Sequence, residues 1–136
     1  FLILIGYKMV GYISDHFKKF GRCIKMLVKR PDGGRLAIHN KVAYFTGHVS
    51  KEPCPTLKEQ TKAVLARYDE LFEQFGLKKE NIIMMNAYFR DISKISEFFE
   101  EYDAWRGDIA PAGVTVEAPC ITKTKLVEIS FIVAVE

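Results

Sequence analysis

The 136-residue chain has the length of one domain, and its formal net charge of +3 is too small and too evenly spread to argue for a nucleic-acid partner. Its apolar opening, FLILIG, is far shorter than the ~20 residues of a membrane-spanning helix, so no membrane partner is expected. The three cysteines lack a C-x-x-C spacing, which argues against a disulfide framework or a zinc site. Reduced thiols favour the cytoplasm, with a mitochondrial or other organelle matrix as the alternative.

The periodicity of the chain changes at Cys23. Residues 1–22 are apolar, then basic and aromatic, and we interpret them as an N-terminal extension of unknown role. Residues 23–136 are expected to form a single domain. The first three predicted strands of this domain alternate apolar and polar residues, and they cover residues 23–30, 35–40 and 42–49. The link between the second and third strands, Asn40–Lys41, is typical of a hairpin.

Residues 56–76 carry the clearest helical pattern. Thr56 and Glu59 form the T-x-x-E of a capping box, and apolar residues then recur at spacings of three and four. A second amphipathic helix is predicted over residues 93–107, with Ser93 as its candidate N-cap. Each helix has one apolar stripe and therefore needs one surface to pack against.

Three further strands are predicted around the second helix, over residues 81–91, 114–118 and 125–135. The last of them is long and apolar, so we expect it to lie at the centre of the sheet. Two helices can cover only one face of a sheet of about six strands, and an apolar face left open needs a partner. The sequence therefore predicts an α+β layer that oligomerises through its sheet.

The carboxylate of Glu128 is the most informative polar group, because it stands among apolar residues in the strand expected to be central. A buried charge costs several kcal/mol unless it is paired or faces a cavity. Two interpretations stay open: alternation that turns Glu128 toward solvent or a subunit interface, and a role in orienting a water or accepting a proton. His48, which follows a glycine at a strand end, is open in the same way between packing and a ligand contact.

Six segments in this order resemble the Rid family, also known as YjgF/YER057c/UK114 or endoribonuclease L-PSP. The segments are AYFTGHVS, EQTKAVLARYDELFEQFGL, IIMMNAYFRDI, YDAW, APAGVTVEA and LVEISFIVAV, and the resemblance covers residues 23–136. It implies a chorismate-mutase-like fold and a homotrimer, with a central barrel of sheets, helices outside and ligand clefts between subunits. Well-studied members hydrolyse reactive enamines and imines such as 2-aminoacrylate to 2-oxo acids and ammonia, without a metal or organic cofactor.

The resemblance also implies a catalytic residue and a ligand-binding turn. Glu128 matches the family glutamate that positions the attacking water. The usual Ser–Gly–Gln segment is replaced here by Thr46, Gly47 and His48. Glu128 is therefore the implied catalytic residue, and Thr46, Gly47 and His48 are implied substrate-binding positions.

Three substrate-binding positions depart from the family pattern. Gly113 stands where an arginine forks onto the substrate carboxylate, a contact that lysine or glycine cannot copy. Thr115 stands where deaminase members often have cysteine, and Phe99 stands where the second helix has asparagine. Standard 2-aminoacrylate deaminase activity is therefore not expected to be high.

Three functions are compatible with these residues. The first is hydrolysis of other small imines or enamines, with Glu128 assisted by His48 or Arg35. The second is a non-catalytic small-ligand-binding or regulatory protein whose cleft has lost carboxylate recognition. The third, an endoribonuclease or translation inhibitor, is disfavoured by the modest charge and by the lack of a catalytic histidine pair or metal cluster in the sequence.

Overall fold

The computed structural model describes residues 27–51 and 53–136, so the predicted extension, residues 1–22, lies outside the described residues. Five strands and two α-helices form one mixed layer. In chain order they are β1 (Leu36–His39), β2 (Val42–Phe45), α1 (Leu57–Phe75), β3 (Ile82–Phe89), α2 (Ile95–Arg106), β4 (Ala112–Glu117) and β5 (Val127–Ala134). No helix in these two ranges is long and apolar enough to cross a membrane.

The sheet has the order β1-β2-β5-β3-β4, which confirms the prediction that the last strand is central. Strands β3 and β4 are parallel, whereas the other neighbouring pairs are antiparallel. The β1–β2 hairpin turns at Asn40 and Lys41, whose φ angles of 48° and 60° suit the tight turns that match strand twist. The fold is therefore α+β, as the sequence predicted.

Helix α1 begins as its capping box predicts. The Thr56 Oγ1 accepts a hydrogen bond from the Glu59 backbone N–H at 3.2 Å, and the Glu59 Oε2 accepts one from the Thr56 N–H at 3.1 Å. Both helices pack on the same face of the sheet. Tyr68 of α1 meets Phe131 edge-on at 4.6 Å, while Phe98 of α2 meets Phe89 at 4.9 Å.

The opposite face, which we call the open face, has no helix over it. Strand β5 shows the difference, because Val127, Ile129, Phe131 and Val133 are buried while the alternate residues are only partly so. The register places large exposed apolar side chains on the open face. They are Tyr44, Tyr88, Val114 and Val116. The open face is therefore the face through which the sequence predicts oligomerisation.

Two boundaries of the sequence prediction were wrong, and the strand predicted over residues 23–30 is tested only from residue 27 onward. The described residues contain five strands rather than about six, because Lys29 makes only an isolated bridge to Ile38 where a strand was predicted over 23–30. The first residues of that range lie outside the described part of the chain. Strand β2 ends at Phe45, and His48 returns to the sheet only as a single bridge to Ile129.

The start of the second helix also differs from the prediction. Ser93 is not the N-cap of α2, because the chain first makes a short 3-10 helix over Ile92–Lys94. The carboxylate of Asp91 accepts the Ser93 backbone N–H at 3.0 Å and caps that turn. An aspartate two residues before the N–H forms this local turn more strongly than a serine hydroxyl can, so the α-helix begins later.

Candidate functional site

The predicted site residues fall into two separate groups in the chain, and Glu128 of the first group lies on the open face of the sheet. The first group, Thr46, Gly47, His48 and Glu128, lies where the chain leaves β2 and passes β5. In the second group, Gly113 and Thr115 lie on the helix-covered face, beside Phe99 of α2. A single chain therefore does not bring the predicted catalytic carboxylate and the predicted substrate-binding cleft together.

Gly47 and Glu128 are in direct contact. A Cβ atom at position 47 would lie 2.7 Å from the Glu128 Cδ and 2.8 Å from its Cγ, distances at which atoms overlap. Gly47 is not among the glycines with positive φ, so its backbone conformation alone does not require glycine. The glycine is needed because the Glu128 side chain packs against its Cα.

The backbone of His48 is hydrogen-bonded to β5, and the Nε2 atom of its ring is buried. Its N–H and C=O both bond to Ile129, at 2.8 Å and 3.0 Å, and the ring meets Tyr68 edge-on at 5.1 Å. The Nε2 atom is buried and has no hydrogen-bond partner among the described residues. Burial, followed by the positive charges of Arg67 and Arg35, lowers the pKa of His48 below its usual 6.5. The imidazole is therefore neutral at neutral pH.

Tyr68 of α1 contacts the backbone of both segments that carry the first group of residues. Its hydroxyl donates to the Ile129 carbonyl at 2.8 Å and lies 3.2 Å from the Thr46 carbonyl. Burial raises the pKa of Tyr68 far above its usual value, so the phenol remains a donor. In the sequence, Tyr68 is recognisable only as part of the apolar stripe of α1. Periodicity indicates that a side chain points inward, but it does not indicate which groups the hydroxyl reaches.

The second group lines a cleft of about 310 Å³ between α2 and β4, which we call the Gly113 cleft. A Cβ at Gly113 would lie 3.3 Å from the Met85 carbonyl oxygen and 3.5 Å from the Met85 Cε. Gly113 also has no positive φ, so neither the backbone angle nor severe crowding demands glycine there. The glycine leaves this wall of the cleft without a side chain, as the resemblance implied.

The sequence pattern did not single out most of the other residues of the Gly113 cleft, among them Met85 and Arg106. The Arg106 Nε donates to the Asp103 Oδ1 at 2.7 Å, and its guanidinium lies 5.8 Å from the centre of the Tyr102 ring. A signal was present in the sequence. Arg106 follows Phe99 by seven residues, a spacing that places both on the same face of a helix.

Thiol and metal chemistry receive no support from the described residues. Within residues 27–51 and 53–136, no group of three or more histidine, cysteine, aspartate or glutamate side chains could hold a metal ion. Cys54 and Cys120 are free thiols, and burial raises the pKa of Cys120, which disfavours its thiolate. Cys23 lies outside the part of the chain that the structure describes.

Comparison with known proteins agrees with this architecture. The sequence profile of the family described as Endoribonuclease L-PSP matches residues 35–135. A RutC family protein from Haemophilus influenzae is 34% identical over 61% of this chain and 73% of its own length. Among solved structures, a YjgF family member from Neisseria meningitidis has a TM-score of 0.71 and 27% identity, covering 79% of this chain and 91% of the other.

A more distant structure shares the fold. A member of the YjgF/YER057c/UK114 family from Mycobacterium tuberculosis has a TM-score of 0.68 at 24% identity, covering 74% of this chain and 86% of the other. The profile match spans both groups of site residues, from the turn after β2 to Glu128 and the end of β5. The chain belongs to the Rid family, also called YjgF/YER057c/UK114 or endoribonuclease L-PSP.

Proposed function

We propose that the protein is a homotrimer that hydrolyses small reactive imines or enamines to carbonyl compounds and ammonia, with Glu128 orienting the attacking water. The observation that carries this proposal is the contact between Glu128 and Gly47, where the missing side chain leaves room for the Glu128 carboxylate beside the backbone. A carboxylate can direct a water molecule when it packs against the backbone on a surface that a second subunit would cover. The family resemblance assigns the same role to this position.

The oligomer would bring the two groups of residues into one site. Within the chain, Glu128 lies on the open face of the central strand β5, whereas Gly113 lies on the helix-covered face of the edge strand β4. If three open faces surround a common axis, the β4 edge of one subunit comes beside the β2 side of the next. A cleft formed in this way would take Glu128 and Gly47 from one subunit and Phe99, Gly113 and Thr115 from its neighbour.

The proposed chemistry needs a water and one base. The Glu128 carboxylate accepts a proton from water as the water oxygen adds to the carbon of the C=N bond, and the nitrogen takes up a proton to form a carbinolamine. Transfer of a proton to the amino nitrogen and cleavage of the C–N bond then release ammonia and leave the C=O product. The neutral His48 imidazole lies in the same segment, but its Nε2 is buried, so we assign it a positioning role.

The departures from the family pattern favour one alternative. Gly113 removes the arginine fork expected for 2-aminoacrylate, and Phe99 removes the asparagine amide, so the strand and helix walls of the cleft are less polar. A protein with these losses can still bind a small ligand without converting it. We therefore expect slow turnover of 2-aminoacrylate and keep a non-catalytic ligand-binding or regulatory function as the second candidate.

The test is a turnover screen of imines generated in solution by an amino-acid oxidase. Unreacted imine is trapped by semicarbazide, and an imine hydrolase lowers the yield of semicarbazone. We expect the wild type to lower the yield for at least one imine, and we expect Glu128→Gln to reduce the rate by about 10²–10⁴-fold. Glu73→Gln, a substitution at an exposed position of α1, is the matched control and should retain the wild-type rate.

The outcomes separate the candidate functions. Equal rates for wild type and Glu128→Gln would remove Glu128 from the mechanism. If the wild-type trimer accelerates hydrolysis of none of the imines but still binds a small ligand, the binding function replaces the enzymatic one. Release of 2-oxo acid from 2-aminoacrylate at the rate of an active family deaminase would contradict the effect assigned to Gly113.

A further inference from the structure

The Gly113 cleft contains the guanidinium group of Arg106. Arg106 stands in the last turn of α2, and its side chain is 28% exposed. Two contacts hold it: the Nε donates to the Asp103 carboxylate at 2.7 Å, and the Nη1 donates to the Ile109 carbonyl. The group also lies near the face of the Tyr102 ring. The guanidinium is therefore fixed by its own helix and by the loop that follows.

The contacts of Arg106 leave most of its donors available. A guanidinium has five N–H groups, and the bonds to Asp103 and Ile109 use one on Nε and one on Nη1. The remaining donors include both N–H groups of Nη2, for which no acceptor lies within bonding distance among the described residues. A partly exposed, fixed arginine with free N–H groups is well suited to bind a carboxylate.

We infer that Arg106 is the carboxylate anchor of the Gly113 cleft and that the cleft takes an organic monocarboxylate with an apolar body. The arginine missing from the strand wall at Gly113 is thus replaced by one from the helix wall. This inference deepens the proposed function, on which it rests, because it names the residue of this chain that holds the carboxylate of the ligand.

The other walls of the cleft favour this ligand over alternatives. Met85, Phe99 and Tyr102 offer apolar surface to the body of the ligand, and a volume of about 310 Å³ restricts it to a small molecule. The Asp103 carboxylate at the same guanidinium would repel a doubly charged phosphate more than a monoanion. Because the anchor stands on a different wall from the family arginine, the bound carboxylate lies elsewhere, and a compact substrate such as 2-aminoacrylate fits poorly.

The test measures binding rather than turnover. The full chain is titrated calorimetrically with phenylpyruvate, the 2-oxo acid that corresponds to the imine of phenylalanine, and with its uncharged ethyl ester. We expect the wild type to bind the acid at least ~10-fold more tightly than the ester, because the charge-assisted contact is lost in the ester. The variant Arg106→Gln should lose that preference, whereas Arg106→Lys, which keeps the charge without the fork, should retain part of it.

Two controls protect the interpretation. Lys62→Gln removes one positive charge from an exposed position of α1 outside the cleft and should bind both ligands as the wild type does. In the double variant Arg106→Gln/Gly113→Arg, the guanidinium returns from the strand wall, and preference for the acid should recover. Circular dichroism and thermal unfolding confirm that each variant is folded before it is titrated.

The result that would overturn the inference is an unchanged preference for the acid in folded Arg106→Gln, or equal affinity of the wild type for acid and ester. A failure of the proposed function would give a different combination of binding and turnover results. If phenylpyruvate binds through Arg106 but no imine is hydrolysed, the hydrolase proposal fails and the anchor stands. If imines are hydrolysed and Arg106→Gln binds as the wild type does, the anchor fails and the hydrolase proposal stands.

Discussion

The Glu128 carboxylate occupies the space that a side chain at position 47 would need, so Gly47 and Glu128 form a packed pair across the gap between β2 and β5. The backbone bonds of His48 to Ile129 keep the two segments at this separation. Neither residue can therefore change independently of the other. The pair offers a direct measurement of how firmly the carboxylate is held.

Replacing Gly47 by alanine should displace the Glu128 side chain. We expect Gly47→Ala to lower the free energy of unfolding by about 0.5–1.5 kcal/mol, because the new methyl group forces the end of the Glu128 side chain out of its preferred conformation. The cost should fall sharply in the Glu128→Ala background, where that space is empty. Urea denaturation of the two single variants and the double variant gives the coupling free energy.

Gly113→Ala is the matched control for this experiment, since a Cβ there approaches only Met85, at 3.3 Å and beyond. It should cost less than Gly47→Ala. Additive free energies for Gly47→Ala and Glu128→Ala would contradict the contact between the two residues.

The buried imidazole of His48 predicts that stability falls in mild acid. Its pKa is lowered in the folded state, chiefly by burial, so near pH 6 the unfolded chain binds more protons at this residue than the folded chain does. The free energy of unfolding therefore rises with pH through this window. The part of it that depends on neutral His48 is lost as the pH falls below the usual value of 6.5. Urea denaturation at about pH 7.5 and at about pH 5.5 measures the difference.

The variant His48→Gln should lose less stability over that interval than the wild type, because it removes the titrating group. His39→Gln, in β1, is the matched histidine replacement. The same dependence on pH in the wild type and His48→Gln would contradict the prediction.

Removing the Tyr68 hydroxyl should destabilise the segment that carries Gly47. Tyr68→Phe removes the hydroxyl that donates to the Ile129 carbonyl and lies near the Thr46 carbonyl. Thr46 belongs to the first group of site residues, and Ile129 follows Glu128 in β5. The expected loss is about 0.5–1.5 kcal/mol in the free energy of unfolding, the net contribution of one hydrogen bond, because the Ile129 carbonyl keeps the His48 N–H as a donor. Hydrogen exchange of the His48 and Ile129 amides should accelerate as well.

Tyr102→Phe is the control, since the Tyr102 hydroxyl donates to none of the side chains or carbonyls in the described ranges. A loss for Tyr68→Phe no larger than that for Tyr102→Phe would show that the hydroxyl does not hold the segment.

The open face should mediate self-association. We expect the wild type to be a trimer by light scattering at micromolar concentration, and we expect Tyr44→Glu to shift it toward the monomer. Tyr44 is 46% exposed within one chain, so a charge there is tolerated in the monomer but would be buried in the oligomer. Ile121→Glu, at a residue that is 77% exposed in a loop, should remain a trimer. A monomeric wild type would remove the proposed site between subunits.

The elements of the fold could be predicted because their signals are local. Helix α1 begins at its capping box, whose two partners stand three residues apart. The β1–β2 hairpin and the central position of β5 followed from a two-residue turn and from a long apolar run. The start of α2 was misplaced because Asp91, two residues before Ser93, forms the stronger local cap.

The sequence by itself determined the family, the layer of two helices on one sheet, and the identity of the candidate residues, since periodicity and motif order are properties of the chain. Only the tertiary structure decided which of them meet. It packed Glu128 against Gly47, placed Arg106 beside Gly113, and put Glu128 and Gly113 on opposite faces of the sheet. These contacts join residues from different elements, and they depend on strand order and register, which local periodicity does not encode.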